Sequence, residues 1–243
     1  MRIPLILAAL GCLVAVVLLQ QSRIEARLLR ADPTVLPTDA GLMAFALRDG
    51  DARYASHCAS CHGASGGGDP ERGIPALNDG DWLYGTGSLS DIEQIIKYGI
   101  RSLHPKAWNL AIMPAYGTPQ PSFRDGKIPP LSPGNVRDLV EFLIREQGRD
   151  ADAEAAIRGA SLFRGAAGCY DCHAQDAKGD SAIGAPNLVD GITLYGDGSR
   201  EALSMSIAYG RQGVCPSWVS RLSPVEIREL AAYVYSLSHF GAR

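Results

Sequence analysis

The hydrophobic positions of the chain form one continuous run near its start and two periodic segments further along. The run from Ile3 to Leu19 contains no charged side chain. As a helix rising about 1.5 Å per residue, it would cross most of a hydrocarbon core of about 30 Å. Its end lacks the Ala-x-Ala arrangement of small residues that favours cleavage of a signal peptide. The pattern therefore predicts an uncleaved transmembrane helix over 1–21, followed by a juxtamembrane linker over 22–39.

The two periodic segments have apolar residues at intervals of three and four, which is typical of a helix with one buried face. Each follows a Ser-Pro pair, Ser132-Pro133 or Ser223-Pro224, which places a capping hydroxyl before a proline at the first helical position. The apolar positions are Val136, Leu139, Val140 and Leu143 in the first segment, and Ile227, Leu230, Ala231 and Val234 in the second. Both segments are predicted to be amphipathic helices.

An internal repeat relates the two halves of the chain. At an offset of 111 residues, Pro75 aligns with Pro186, Leu83-Tyr84-Gly85 with Leu194-Tyr195-Gly196, and Tyr98-Gly99 with Tyr209-Gly210. The offset falls to 102 where Met113-Pro114 aligns with Cys215-Pro216, and to 91 at the two Ser-Pro pairs. The first copy therefore contains two insertions, and each copy ends in one of the amphipathic helices.

Length and composition agree with two small helical domains. The chain has 243 residues, and domains commonly contain about 100 to 150. Strand patterns are weak, and 27 glycines and 15 prolines favour long loops between the helices. We predict an all-α fold with domains over 40–147 and 154–243, joined by a linker at 148–153. The net charge of −3 without a basic cluster gives no support to nucleic-acid binding.

The candidate chemistry lies in a Cys-x-x-Cys-His motif that occurs once in each copy. This spacing is the attachment signature of a c-type haem: the two thiols form thioethers, and the histidine is the proximal iron ligand. A zinc site would pair two Cys-x-x-Cys motifs about 15 to 20 residues apart, whereas these are 111 residues apart. The sequence thus predicts two covalently bound haem c groups and single-electron transfer. The motif residues are Cys58, Cys61 and His62, and Cys169, Cys172 and His173.

In the first domain, Met113 is the predicted sixth ligand of the iron. A thioether opposite a histidine raises the iron potential, although core packing is the commoner role of methionine. His57 and His104 are the competing ligands. His57 directly precedes Cys58 and is expected to face away, whereas His104 lies in a polar insertion.

In the second domain, Cys215 stands at the position of that methionine. Three arrangements are open: a thiolate bound to iron, a displaced thiol beside a five-coordinate iron, or replacement by Met205. The alignment places Met205 too early in the chain. We favour ligation by Cys215, because a thiolate is a strong iron ligand that would lower the potential of the second haem.

The motifs together identify a family resemblance that covers residues 50 to 240. They are Asp81-Trp82-Leu83-Tyr84-Gly85, Tyr98-Gly99-Ile100-Arg101, Met113-Pro114-Ala115, Gly184-Ala185-Pro186-Asn187-Leu188 and Gly210-Arg211-Gln212-Gly213-Val214. The chain resembles the dihaem subunit III of cbb-type cytochrome c oxidases, the C family of haem-copper oxidases. The resemblance implies two tandem class I cytochrome c domains, with the carbonyls of Pro75 and Pro186 orienting His62 and His173. Cys215 departs from the family, which has a second axial methionine.

The resemblance also implies partners and a location. Electrons would come from a soluble cytochrome c or a quinol-oxidising complex and pass to the monohaem and catalytic subunits of a haem-copper oxidase. The chain would not be an enzyme by itself. Because c-type haem is attached outside the bacterial inner membrane, the haem domains are expected in the periplasm, although Arg23, Arg27 and Arg30 after the apolar run favour the opposite topology.

Other classes of protein share parts of this pattern. A stand-alone dihaem electron acceptor for a periplasmic dehydrogenase would have the same haem motifs. A redox or gas sensor could use Cys215 at its second haem. A dihaem peroxidase would need an open iron site and a nearby acid or base, which the sequence does not indicate.

Overall fold

The computed structural model describes residues 3–119, 121–123 and 126–240, apart from the side chains of 3–9, 122, 123, 126 and 127. The helices of this part of the chain are α1 (Ile3–Arg30), α2 (Ala40–His57), α3 (Ala59–His62), α4 (Leu89–Tyr98), α5 (Pro133–Glu146), α6 (Ala153–Phe163), α7 (Tyr170–His173), α8 (Arg200–Tyr209) and α9 (Pro224–Phe240), with a 3-10 turn at Leu36–Thr38. The strands β1 (Ser122–Phe123) and β2 (Gly126–Lys127) pair as an antiparallel hairpin. The predicted helical fold class is confirmed.

The helix starts are set by local capping. Ser132 accepts a hydrogen bond from the Asn135 amide, and the Asn135 side-chain oxygen accepts one from the Ser132 amide, which forms a capping box. Ser223 and Glu226 form a second box of the same kind. Each box satisfies backbone donors that have no partner within the helix. Helices α5 and α9 therefore begin at the prolines that follow these serines.

Helix α1 continues through the predicted span and into the predicted linker, as far as Arg30. Its apolar side chains from Leu10 to Leu19 are exposed. A search of the described residues finds no helix with the length and apolarity needed to cross a membrane. The end of α1 is fixed to the rest of the chain, because the Arg228 guanidinium of α9 donates to the carbonyls of Leu28 and Ala31 at 3.0 and 2.9 Å.

The first packing unit, which we call unit A, consists of the end of α1 with α2, α3, α4 and α9. Leu230 of α9 is buried with Tyr54 of α2 and Ile92 of α4. Helices α2 and α9 approach closely at Gly50, where a Cβ atom would lie 2.8 Å from the Glu229 carbonyl oxygen. The same pair of helices is joined by an ion pair between Arg53 and Glu229 at 2.5 Å.

The second packing unit, unit B, consists of α5, α6, α7 and α8. The rings of Phe142 in α5 and Phe163 in α6 are 5.0 Å apart and fully buried. At Gly159 of α6, a Cβ atom would lie 2.0 Å from the Asp138 carbonyl oxygen of α5, so only glycine allows this approach. Glu141 of α5 also holds α8 through an ion pair with Arg200 at 2.6 Å.

The packing therefore differs from the consecutive division into 40–147 and 154–243 expected from the sequence. Helix α5, which ends the first copy of the repeat, completes the unit of the second haem motif. Helix α9, which ends the second copy, completes the unit of the first motif. The predicted linker at 148–153 lies in the turn between α5 and α6, where the Asp152 amide donates to Glu141 at 2.9 Å. The two copies have exchanged their last helices.

The exchange requires two crossings of the chain between the units, and these crossings run side by side. Ile100 and Cys215 exchange backbone hydrogen bonds of 2.9 and 3.0 Å. The Met113 amide donates to the Arg211 carbonyl at 3.1 Å. The segment after α4 thus leaves unit A beside the segment after α8 that returns to it.

Candidate functional site

The first Cys-x-x-Cys-His motif lies in unit A, where α2 ends and the single turn of α3 begins. Cys58 caps α2 and starts α3, and the His62 amide donates to the Cys58 carbonyl at 2.9 Å. This turn places the thiols of Cys58 and Cys61 and the His62 ring on the wall of one cavity. The second motif has the same arrangement in unit B, with a bond of 3.0 Å between the His173 amide and the Cys169 carbonyl.

Both motif histidines are oriented by a proline carbonyl. His62 Nδ1 lies 3.0 Å from the Pro75 oxygen, and His173 Nδ1 lies 3.0 Å from the Pro186 oxygen. Because a carbonyl only accepts, Nδ1 donates in each pair and Nε2 keeps its lone pair. Burial lowers the pKa of both histidines, which favours the neutral ring. A neutral imidazole held through one nitrogen is the form that binds a metal through the other.

Cys215 lies in unit A, beside the first motif. Burial, and after it the nearby Cys61 thiol, raise the pKa of Cys215 to about 11. The neighbouring Trp218 packs against the core of unit A, and its ring lies 5.1 Å from that of His57. The sequence paired Cys215 with the second motif, but the exchange brings it to the cavity wall that holds His62.

Met113 lies in unit B, beside the second motif. It packs against the unit B core together with Cys169 and Leu188. The nearby Tyr116 is buried and donates a hydrogen bond to the Ala167 carbonyl at 2.8 Å. The sequence paired Met113 with His62, and the structure instead places it in the unit of His173.

Two of the competing ligands considered from the sequence, His104 and Met205, have other surroundings, whereas His57 lines the cavity beside Trp218. The His104 ring stacks on Tyr98 with centroids 4.7 Å apart, and its Nδ1 accepts from the Lys106 amide at 3.1 Å. The side chain of Met205 in α8 is 52% exposed. Neither His104 nor Met205 is among the residues that line the cavity.

The two motifs share one cavity of about 670 Å³. Apolar side chains form most of its wall, including Leu77, Ile96, Leu139 and Leu203. Two thiol pairs and two neutral histidines face this apolar space, which is the donor set and the surroundings that a covalently attached haem requires at each motif. The residues present therefore fit two haem c groups.

Four cavity residues were not assigned a role from the sequence: Tyr84, Tyr195, Arg101 and Arg211. The Arg211 guanidinium lies 4.3 Å from the centre of the Tyr195 ring, and that of Arg101 lies 5.8 Å from the Tyr84 ring. Arg101 also has a φ of 48°, which is uncommon for a residue with a side chain. Tyr84 and Tyr195 align in the repeat. An alignment does not show how far apart the two copies lie, so the sequence does not predict which residues these tyrosines contact.

Comparison with known proteins gives a consistent result over most of the chain. A family model described as cytochrome C oxidase, cbb3-type, subunit III matches residues 45–143 and 154–234. The cbb3-type cytochrome c oxidase subunit CcoP of Rhodobacter capsulatus is 40% identical over 222 residues, which is 88% of this chain and 70% of the relative. The CcoP subunit of Cereibacter sphaeroides is 35% identical over 214 residues, covering 88% of this chain and 69% of the relative.

Subunit FixP of the cbb3-type oxidase of Azorhizobium caulinodans is also similar. It is 39% identical over 197 residues, which is 81% of this chain and 61% of FixP. Each range matched by the family model contains one of the two Cys-x-x-Cys-His motifs.

Proposed function

Since the chain belongs to the family of cbb3-type cytochrome c oxidase subunit III, we propose that it is a membrane-anchored dihaem cytochrome that passes single electrons towards a terminal oxidase. The resemblance found in the sequence is confirmed by this membership. Relatives named CcoP and FixP are electron-transfer subunits and not the catalytic subunit, so the chain is not an enzyme by itself. The family also supports covalently bound haem c.

We propose two haem sites that follow the packing units. In unit A, Cys58 and Cys61 would attach the porphyrin and His62 would bind the iron, with Cys215 as the candidate second iron ligand. In unit B, the corresponding residues are Cys169, Cys172, His173 and Met113. When bound, each haem supplies a one-electron redox centre. Burial favours the neutral form of both histidines, the carbonyls of Pro75 and Pro186 orient their rings, and mostly apolar side chains line both sites.

The single observation that carries this proposal is the shared cavity. Two attachment motifs from different units open into one apolar space, so two redox centres bound there would lie close to each other. An electron received at one motif would have a path to the other within the same chain. A soluble cytochrome c or a quinol-oxidising complex would be the donor, and the monohaem and catalytic subunits of the oxidase would be the acceptors.

We place the chain at the bacterial inner membrane, with the span predicted over 1–21 as the anchor and both units in the periplasm. The uncharged run from Ile3 to Leu19 supports the anchor, as do the exposed apolar side chains between Leu10 and Leu19. Attachment of c-type haem outside the inner membrane supports the periplasmic side. Fractionation of native cells, with protease added to spheroplasts, would test this placement.

Purification of the tagged chain from its native membranes in a mild detergent tests the function. We expect a haem-copper catalytic subunit and a monohaem subunit to remain bound, and covalent haem to stay with the chain under denaturing electrophoresis. A matched pair of variants, C58S/C61S and C169S/C172S, should each lose half of this haem. Recovery of only a dehydrogenase, or of no partner, would contradict the oxidase assignment.

A further inference from the structure

Two tyrosines cross the boundary between the units and make reciprocal contacts. The ring of Tyr84, from unit A, lies so close to Gly184 of unit B that a Cβ atom there would be 2.1 Å from Tyr84 Cε1. The ring of Tyr195, from unit B, approaches Gly73 of unit A in the same way, with a corresponding distance of 1.9 Å. Both glycines have positive φ, at +77° and +67°. Each glycine therefore provides both the backbone conformation and the space for a ring.

Backbone hydrogen bonds fix each tyrosine in this position. The residue after each tyrosine donates across the boundary: Gly85 to the Ser181 carbonyl at 3.0 Å, and Gly196 to the Pro70 carbonyl at 2.9 Å. These partners precede the contacted glycines by three residues in both units. The boundary is thus two copies of one contact, related by the repeat.

The contacted glycines lie in the loops that orient the haem-binding histidines. Gly184 is two residues before Pro186, whose carbonyl accepts from His173 Nδ1 at 3.0 Å. The loop is closed by paired hydrogen bonds of 2.9 and 3.0 Å between Asp180 and Ala185. Tyr84 therefore rests on a short, closed loop that fixes the proximal ligand of the other unit.

Each tyrosine ring also contacts an arginine. Arg101 lies over Tyr84, and its Nε donates at 2.5 Å to the carbonyl of Gly213, two residues before Cys215. Arg211 lies over Tyr195, and its backbone carbonyl accepts from the Met113 amide at 3.1 Å. Each tyrosine thus contacts the proximal loop of one site and an arginine bonded to the Cys215 or Met113 segment of the other.

We propose that Tyr84 and Tyr195 are positioning residues that couple the two sites, so that the potential of each haem depends on the packing of the other unit. The inference rests on the two haem sites of the proposed function. Hydrogen bonds to a ligating histidine alter the properties of the metal that the histidine binds. Each tyrosine ring contacts the loop whose proline carbonyl accepts such a bond, so the ring would help to set the geometry of that hydrogen bond. Disturbing Tyr84 should therefore change the potential of the haem at His173, and disturbing Tyr195 that of the haem at His62.

The test uses the purified, haem-loaded full chain and two kinds of variant at the Tyr84 contact. Gly184→Ala introduces a Cβ atom into the ring. Gly191→Ala is its matched control, because Gly191 lies in the same region with a φ of +80° but has no atom within 4 Å of an added Cβ. Tyr84→Leu removes the ring, and Tyr84→Phe keeps it.

A redox titration followed by electron paramagnetic resonance gives the midpoint potential of each ferric haem. We expect Gly184→Ala and Tyr84→Leu to shift the reduction equilibrium of the haem at His173 by about tenfold, which is about 59 mV for one electron. Loss of a residue that hydrogen-bonds to a metal ligand typically changes metal affinity or activity by about 10- to 100-fold, and we take the lower end of that range. Gly191→Ala and Tyr84→Phe should leave it at the wild-type value.

Unchanged potentials in Tyr84→Leu, or equal shifts in Gly191→Ala and Gly184→Ala, would overturn the proposal. If Gly184→Ala does not fold, the two substitutions of Tyr84 decide the matter. The outcome is separate from that of the oxidase assignment, since potentials are measured on the isolated chain and partners by co-purification. A chain bound to a dehydrogenase would still show the coupling, and a chain bound to the oxidase could lack it.

Discussion

The exchange of α5 and α9 makes a specific prediction about Leu230. This residue aligns with Leu139 in the repeat, and the two side chains are 1% and 2% exposed. Truncation of a buried leucine to alanine costs about 2–5 kcal/mol, from lost transfer free energy and the cavity left behind. In the structure, Leu230→Ala opens that cavity in unit A, although the residue belongs to the second copy. Leu139→Ala, its matched control, opens one in unit B.

Hydrogen exchange of the haem-loaded chain, followed by mass spectrometry, would locate each effect. We expect Leu230→Ala to raise the opening equilibrium of α2 and α4 by roughly 30-fold to 4,000-fold, the range that 2–5 kcal/mol corresponds to. Helices α6 and α8 should keep their wild-type protection in that variant. Leu139→Ala should give the opposite pattern.

The opposite assignment has an equally clear signature. If each copy of the repeat packed on its own last helix, Leu230→Ala would expose α6 and α8 and leave α2 and α4 protected. That result would refute the exchange. Equal loss of protection in all four helices would contradict the division into two packing units.

Three further predictions concern single side chains. Cys215→Met should raise the potential of the haem at His62 and leave the other unchanged, because a thioether favours reduced iron; a spectroelectrochemical titration that moves the other haem would contradict the assignment by unit. The hydrogen bond from Arg158 lowers the pKa of Asp138, so this carboxylate stabilises the fold above about pH 4, and the effect is lost as the pH falls through the lowered value. The urea midpoint of Asp138→Asn should therefore depend less on pH in the acid range than the midpoint of the wild type. Arg228 pairs with the buried Glu93 at 2.6 Å, and Glu93 also pairs with Lys97. Arg228→Met should therefore lower the free energy of unfolding by about 3 kcal/mol, the lower end of the cost of breaking a buried ion pair; an unchanged urea midpoint would exclude this role.

The features that the sequence predicted well are those fixed within a few residues. The starts of α5 and α9 depend on Ser132 and Ser223 and on amides three positions later, so the local pattern was sufficient. The same is true of the Cys-x-x-Cys-His turns, each closed by one backbone bond between the first cysteine and the histidine. Such contacts involve no choice between distant partners.

The exchange could not be read from the repeat, because the two copies make either pairing equally suitable. Helices α5 and α9 have the same spacing of apolar residues, so each would fit against the first or the second motif. A repeat shows which segments are alike but not which of two like segments packs where. The assignment of Met113 and Cys215 to their nearer motifs followed from assuming that each copy folds on itself.

The length of one connection distinguishes the two pairings. Only six residues, 147–152, separate α5 from α6, and an extended chain covers at most about 3.5 Å per residue. A turn of this length joins antiparallel neighbouring helices easily. With α5 and α6 paired, the segment before α5 must leave unit A, and α9 must return to complete it. Cys215 is therefore nearer in sequence to His173 but lies in the unit of His62, and substitutions in this chain must be assigned by packing unit and not by distance along the sequence.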